Sequence, residues 1–128
     1  MTFLLDTHLL LWAAGDPGRL SSKSRELLCD PTVELMFSTA SIWEVVVKNT
    51  LGRCDFRVDP RELRDGLMQN GYSELVIRSE HALAVDLLPP IHKDPFDRIL
   101  IAQAQVENVT LLTMDNKVVR YPGPIQAV

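Results

Sequence analysis

The sequence has 128 residues and a formal net charge of −4, with 46% hydrophobic and 23% charged residues. This length and composition predict one folded domain over residues 1–128 with a proper core and exclude a disordered chain. The acidic balance argues against general electrostatic binding to nucleic acid, because domains that bind in this way are usually basic. It leaves nucleic acid open as a substrate, since a bound metal ion offsets the charge of the carboxylates that hold it.

Strand-like and helix-like segments alternate along the chain. In chain order the pattern predicts a strand over 2–5, helices over 7–14 and 22–28, a strand over 34–38, helices over 40–51 and 60–70, a strand over 74–77, helices over 80–87 and 95–107, a strand over 109–113 and a weak strand over 125–128. Strands joined by helices indicate crossover connections. The prediction is an α/β fold with a mainly parallel sheet covered on both faces.

The sequence carries no sign of secretion or of a membrane anchor. Cys29 and Cys54 are too few for a disulfide framework and lack metal-ligand spacing, so we interpret them as ordinary thiols of a reducing compartment. Asp6 interrupts the apolar start, and the run from Leu9 to Ala14 is too short to cross a bilayer. A soluble cytoplasmic protein without membrane association is expected.

Four carboxylates stand where regular elements begin or end: Asp6, Glu44, Asp97 and Asp115. Asp6 and Asp115 follow two predicted strands. Ligands of parallel sheets bind beyond the carboxyl ends of the strands, so these two positions are candidates for a site.

Each of the four also has a purely local interpretation. Asp6 can cap the first helix, and Asp97 lies in the first turn of a helix, where a negative charge suits the helix dipole. Ser41 and Glu44 match the capping box Ser-x-x-Glu. Asp115 can cap a short turn.

As a set, the carboxylates need a different explanation. At about 4–6 Å apart they would repel each other by roughly 3–4 kcal/mol per pair at an effective dielectric near 20. Oxygen ligands favour hard cations, Mg²⁺ or Mn²⁺. Such ions lower the pKa of a bound water and can clamp an in-line displacement at phosphorus. The three histidines share no metal-ligand spacing, although His92 lies close to Asp94 and is a candidate neighbour of the site.

Four sequence blocks around these carboxylates carry a family resemblance: 5–12 (LDTHLLLW), 38–45 (STASIWEV), 92–104 (HKDPFDRILIAQA) and 111–115 (LLTMD). In this order and at this length they resemble the PIN-domain ribonucleases, in particular the VapC-type toxins of bacterial and archaeal toxin–antitoxin pairs. The resemblance runs from Phe3 to about Val119. It implies a three-layer α/β/α sandwich with a parallel sheet.

The resemblance also implies a function. The family's acidic quartet falls on Asp6, Glu44, Asp97 and Asp115, which would bind Mg²⁺ or Mn²⁺ and cleave RNA. A homodimer is expected, held inactive by a cognate antitoxin whose tail lies in the active-site groove.

Five further residues are candidates for supporting roles. Asp94 precedes Pro95 and is favoured as a helix cap over a metal ligand. Thr7 and Thr113 could orient carboxylates or waters through their hydroxyls. For Arg98 and Lys48 two roles stay open, a contact with an RNA phosphate or an ion pair with a neighbouring carboxylate. Lys48 follows Glu44 at the i,i+4 spacing that favours such a pair.

Two alternatives to a nuclease are considered. A receiver-like phospho-accepting domain shares the size, the parallel sheet and the acidic strand ends, but it needs an Asp after a central strand, and here the second strand ends in Ser38-Thr39. A non-catalytic PIN-fold binding protein would have no need for all four carboxylates. DNA as the substrate also stays open, because the site chemistry does not distinguish the sugar.

Overall fold

A five-stranded parallel sheet forms the middle layer of the computed structural model, which describes residues 1–53 and 57–128. The strands are β1 (Thr2–Leu5), β2 (Glu34–Ser38), β3 (Ser73–Leu75), β4 (Thr110–Thr113) and β5 (Ile125–Ala127). Their order across the sheet is β3-β2-β1-β4-β5, and all neighbours are parallel. Cys29 is a free, exposed thiol, whereas Cys54 lies outside the described residues.

Helices cover both faces of the sheet. They are α1 (Thr7–Gly15), α2 (Ser22–Cys29), α3 (Thr39–Thr50), α4 (Pro60–Gln69), α5 (Ser79–Val85) and α6 (Pro95–Glu107), with short 3₁₀ turns at Pro17–Arg19 and Val118–Arg120. Within the described ranges, no helix combines the length and the apolar character that a membrane crossing requires.

Alternation along β1 divides the core in two. Phe3 and Leu5 point into a cluster with residues of α1 and α4, while Leu4 points to the other side, into a cluster with Leu100 and Ile101 of α6. Successive strand residues face opposite sides of a sheet, so both faces of this one are apolar and both need a helical layer. The predicted α/β/α sandwich is confirmed.

The register of the sheet brings its carboxyl ends together at one edge. Leu5 is opposite Leu112, and the Asp6 N–H extends the pairing by donating to the Leu112 carbonyl at 3.1 Å. The residues that come next in the two strands, Asp6 and Thr113, therefore lie side by side at this edge. The start of α3 joins the same edge, because Ser38 ends β2 and caps α3.

Three predicted local features differ from the structure. Helix α3 begins at Thr39 with Ser38 as its N-cap, which accepts from the Ala40 N–H, so the predicted capping box of Ser41 and Glu44 is wrong. Helix α5 spans Ser79–Val85 rather than the predicted 80–87, and Arg78 occupies its N-cap position.

The third difference is the length of β3, which ends at Leu75 instead of continuing to residue 77. Leu75 pairs with Ser38, the last residue of β2. Beyond that point β2 has turned into α3, so Val76 has no strand partner on that side and is exposed.

Candidate metal centre

A groove of about 480 Å³ opens at the carboxyl edge of the sheet. Its walls bring together the four carboxylates predicted from the sequence, with Asp94 as a fifth. The groove is lined by Asp6, Thr7, His8, Trp12, Glu44, Lys48, Arg53, His92, Asp94, Asp97, Met114 and Asp115.

Asp6 is held at the bottom of the groove by hydrogen bonds to both of its oxygens. Its Oδ1 accepts from the Leu9 N–H at 3.0 Å, and its Oδ2 accepts from the Thr113 hydroxyl at 2.6 Å. Burial raises the pKa of Asp6, while the bonds from Thr113 and Leu9 act in the opposite direction. The predicted N-cap role of Asp6 is confirmed. Asp6 also lines the groove, so it is both a helix cap and a residue of the candidate site.

Glu44 is the most buried of the carboxylates, with 2% of its surface exposed. Its Oε1 accepts from the Thr7 hydroxyl at 2.6 Å, and that hydroxyl also lies 2.9 Å from Ser41 Oγ. Its Oε2 accepts from Lys48 Nζ at 2.6 Å. Ser41, Glu44 and Lys48 recur every three or four residues, so α3 presents all three on one face.

Asp94 caps α6 and thereby places Asp97 in its first turn. Asp94 Oδ1 accepts from the N–H groups of Phe96 and Asp97 at 2.9 and 3.4 Å, which confirms the predicted cap. Its other oxygen, Oδ2, lies 3.8 Å from Lys48 Nζ. Of the two roles left open for Lys48, the ion pair is the one observed.

Asp97 has a strongly perturbed carboxyl group. Burial, followed by the charges of Asp94, Glu44, Asp6 and Asp115, raises its pKa to about 8. The groove therefore concentrates more negative charge than its own residues can balance. A site of this kind favours a bound cation.

Asp115 follows β4 and is fixed by the turn that it caps. Its Oδ1 accepts from the N–H groups of Lys117 and Val118 at 2.7 and 3.2 Å, and its own N–H donates to the Thr113 hydroxyl at 3.0 Å. Thr113 thus contacts two site residues, since its hydroxyl also donates to Asp6.

His92, predicted only as a candidate neighbour of the site, lies within it. Its Nε2 lies 2.9 Å from Asp97 Oδ2 and 3.6 Å from Asp115 Oδ2. The only signal in the sequence was its position two residues before Asp94. Among the described residues, His92, Asp97 and Asp115 are the group whose ligand atoms all lie within 4.8 Å of one another.

Arg98 lies behind the groove and supports its wall. The guanidinium donates to the carbonyl oxygens of Pro89, Val85 and His92 and to the Tyr121 hydroxyl, at 3.0 to 3.4 Å. Neither predicted role of Arg98, a phosphate contact or an ion pair with a carboxylate, agrees with these bonds. They tie the loop before α6 to the helix.

The donor atoms fit a hard divalent cation. Carboxylate oxygens are the ligands that Mg²⁺ and Mn²⁺ prefer, and the high pKa of Asp97 reflects charge that such an ion would neutralise. The oxygens of Asp6 and Glu44 already accept hydrogen bonds, but each has a second lone pair available for an ion.

Comparisons with known proteins agree with this fold. No curated protein matches the sequence. Among solved structures, the chain resembles VapBC2 from Rickettsia felis bound to a DNA fragment from the promoter, with a TM-score of 0.72 and 16% identity over 99% of this chain and 98% of that chain. It resembles DNA-bound VapBC from Salmonella typhimurium with a TM-score of 0.69 and 14% identity, again over 99% and 98% of the two chains.

A third similar structure is VapBC-1 from nontypeable Haemophilus influenzae, with a TM-score of 0.60 and 18% identity over 94% of this chain and 91% of that chain. These low identities establish likeness of fold alone. The sequence model of one family, described as the PIN domain, matches residues 3–124. This match spans nearly the whole chain, and the chain therefore belongs to the PIN domain family.

Proposed function

We propose that this PIN-domain protein is a cytoplasmic metal-dependent endoribonuclease that hydrolyses RNA phosphodiester bonds as the toxin of a toxin–antitoxin pair. The observation that carries the proposal is the convergence of distant carboxylates on one groove. They come from the end of β1, from α3, from the start of α6 and from the end of β4: Asp6, Glu44, Asp94, Asp97 and Asp115.

In this proposal Asp6, Glu44, Asp97 and Asp115 hold one or two divalent cations, Mg²⁺ or Mn²⁺. A bound cation would supply positive charge to a phosphate oxygen and would lower the pKa of a water, so that this water could act as the nucleophile. Without a bound cation, the repulsion between the carboxylates that line the site destabilises the folded state.

The remaining residues position these ligands. Thr113 and Thr7 hold Asp6 and Glu44 through 2.6 Å hydrogen bonds, which fixes the direction of each carboxylate. Partners of this kind commonly change metal affinity by about 10–100-fold when they are removed. Lys48 balances part of the charge of Glu44.

We also propose an antitoxin partner and a homodimer. The support for an antitoxin is that the three similar structures are VapBC assemblies. The support for both interfaces is that large apolar side chains stay exposed on and near α3 and α5: Trp43 at 58%, Leu83 at 73% and Leu87 at 84%. Single exposed apolar residues are common, but those on helices of a small domain are natural contacts for a second chain.

The receiver-like alternative disagrees with the topology. Receivers of the flavodoxin-like class have the strand order 2-1-3-4-5. The described sheet has the order 3-2-1-4-5 instead, so its strands are connected differently from those of a receiver.

The test is RNA cleavage by purified protein freed of any antitoxin. A mixed RNA pool is incubated with Mg²⁺, Mn²⁺ or EDTA, and the new 5′ ends are mapped. We expect discrete cleavage with a metal ion and none with EDTA. Asp6→Asn and Asp97→Asn are expected to reduce cleavage by about 100-fold or more while the fold is retained, because a neutral amide is a poor ligand for a hard cation.

Asp59→Asn is the matched control. Asp59 caps α4 outside the groove, and Asn is an equally good N-cap, so this variant has the same chemical change without a change at the site. Cleavage in EDTA, or full activity of Asp97→Asn, contradicts the proposal. Binding of RNA without cleavage under any metal condition favours the non-catalytic alternative.

A further inference from the structure

The side chain of His92 lies beside Asp97 and Asp115. The anionic groups of this groove offer only oxygen atoms as metal ligands, whereas His92 offers a nitrogen. We infer that His92 Nε2 is a ligand of the same cation as Asp97 and Asp115, and that it shifts the preference of the site from Mg²⁺ toward Mn²⁺. This inference rests on the proposed metal site and assigns it a nitrogen ligand.

The spacing of the three groups matches that of ligands around one ion. An ion about 2.1 Å from each ligand separates neighbouring octahedral ligands by about 3.0 Å and tetrahedral ligands by about 3.4 Å. Nε2 lies 2.9 Å from Asp97 Oδ2 and 3.6 Å from Asp115 Oδ2. An ion could therefore take its place among these atoms with only small movements of the side chains.

The backbone of His92 is held in place from two elements. Its N–H donates to the Tyr121 hydroxyl at 2.6 Å, and its carbonyl accepts from that hydroxyl at 3.2 Å and from Arg98 at 3.4 Å. Tyr121 is buried, so its hydroxyl is a fixed partner. A ligand carried by a fixed backbone needs little ordering when an ion binds.

The ring can present Nε2 to an ion at little cost. Coordination through Nε2 requires the tautomer with the proton on Nδ1, which gives up the hydrogen bond that Nδ1 accepts from the Asp94 N–H. That bond is 3.4 Å long and therefore weak. The 2.9 Å contact of Nε2 with Asp97 Oδ2 is replaced by coordination of both atoms to the ion. The Asp94 carboxylate keeps its own cap contacts in either tautomer.

The expected consequence is a change in metal preference. Mg²⁺ favours oxygen ligands and dehydrates reluctantly, whereas imidazole is a good ligand for transition metals. Loss of the imidazole should therefore weaken Mn²⁺ binding more than Mg²⁺ binding. A histidine that only balanced charge would affect the two ions alike.

The direct test is pulsed electron paramagnetic resonance of Mn²⁺ bound at less than one equivalent to the 128-residue chain. We expect the modulation from a directly coordinated imidazole ¹⁴N in the wild-type protein and its loss in His92→Gln. Calorimetry should show the Mn²⁺ affinity of His92→Gln reduced by about tenfold or more, with a clearly smaller change for Mg²⁺. Both readouts are independent of catalysis.

His8→Gln is the matched control, because His8 is the other histidine that lines the groove. This variant should keep the nitrogen coupling. If His92→Gln does not fold, His8→Gln still shows which histidine supplies the coordinated nitrogen. The third histidine, His81, is fully buried with Nδ1 bonded to the Arg78 N–H and Nε2 to Glu107, so coupling that survives in His8→Gln points to His92.

The outcomes separate this inference from the proposed function. Mn²⁺ binding without nitrogen coupling in the wild-type protein overturns the role of His92 and leaves the carboxylate metal site standing. Loss of the nitrogen coupling in His8→Gln assigns the coordinated nitrogen to His8 and also overturns the role of His92. Failure of the wild-type protein to bind Mn²⁺ overturns both.

Discussion

Replacement of Asp97 by asparagine should stabilise the metal-free protein. Burial and the neighbouring carboxylates raise the pKa of Asp97 to about 8, whereas the unfolded chain releases this proton near 3.8. The folded state therefore binds more protons than the unfolded state between these two values, and the stability of the wild-type protein falls as the pH rises through this window. Asparagine carries no charge and should remove this dependence.

The magnitude follows from the size of the pKa change. A rise from 3.8 to about 8 corresponds to an upper limit of about 6 kcal/mol at about 1.4 kcal/mol per pKa unit. Relaxation of the groove and entry of water reduce this value, so we expect Asp97→Asn to be about 2–3 kcal/mol more stable than the wild type at pH 8 in EDTA. Near pH 4 the two should be similar.

Urea unfolding at both pH values, in EDTA and then in saturating Mg²⁺, measures this difference. The ion should reverse the order, because it stabilises the wild type by about 4 kcal/mol at about 1,000 times its dissociation constant and binds the variant less tightly. Asp59→Asn again serves as the control and should show neither effect. A variant less stable than the wild type at pH 8 in EDTA would refute the account of Asp97 as a carboxylate that its neighbours repel.

Of three further predictions, two concern contacts around the site and one concerns a contact outside it. Lys48→Met leaves the buried Glu44 without its cation and should cost about 3–5 kcal/mol of unfolding free energy in EDTA, measured by urea unfolding; a cost near zero would contradict the ion pair. Thr113→Val removes the hydroxyl that holds Asp6 and should weaken Mg²⁺ binding by about 10–100-fold, measured by calorimetry. His81→Ala removes a buried ring and two hydrogen bonds and should lower stability by about 2–4 kcal/mol, with RNA cleavage unchanged below the melting temperature.

Much of the site could be predicted from the sequence because strand ends are easy to locate. Asp6 and Asp115 follow short apolar runs, and a parallel sheet brings such positions to one edge. Asp94 was also predictable, because Asp followed by Pro marks a helix start. These inferences need only local patterns and one rule of topology.

Glu44 shows where a local pattern misleads. Ser41 and Glu44 match a capping box, yet α3 begins two residues before Ser41, because β2 runs to Ser38 and passes directly into the helix. Glu44 therefore lies in the second turn, where its carboxylate faces the Thr7 hydroxyl rather than its own backbone. A sequence window does not contain the strand pairing that decides this.

His92 was out of reach for a similar reason. It lies between α5 and α6, and its position depends on Tyr121, 29 residues later in the chain. No helical or strand period applies to such a residue. Contacts of this kind become visible only once the tertiary structure is known.

The hydrogen bond between Thr113 and Asp6 joins residues 107 positions apart in the sequence. A ribosome adds them in that order, so a growing chain that has not reached Thr110 has Asp6 but lacks β4, Thr113 and Asp115. Strand β1 can pair with β2 early in synthesis, whereas its pairing with β4 must wait until residues 110–113 have been added. A nascent chain therefore cannot assemble the groove, and with it the proposed metal site, before β4 has been synthesised.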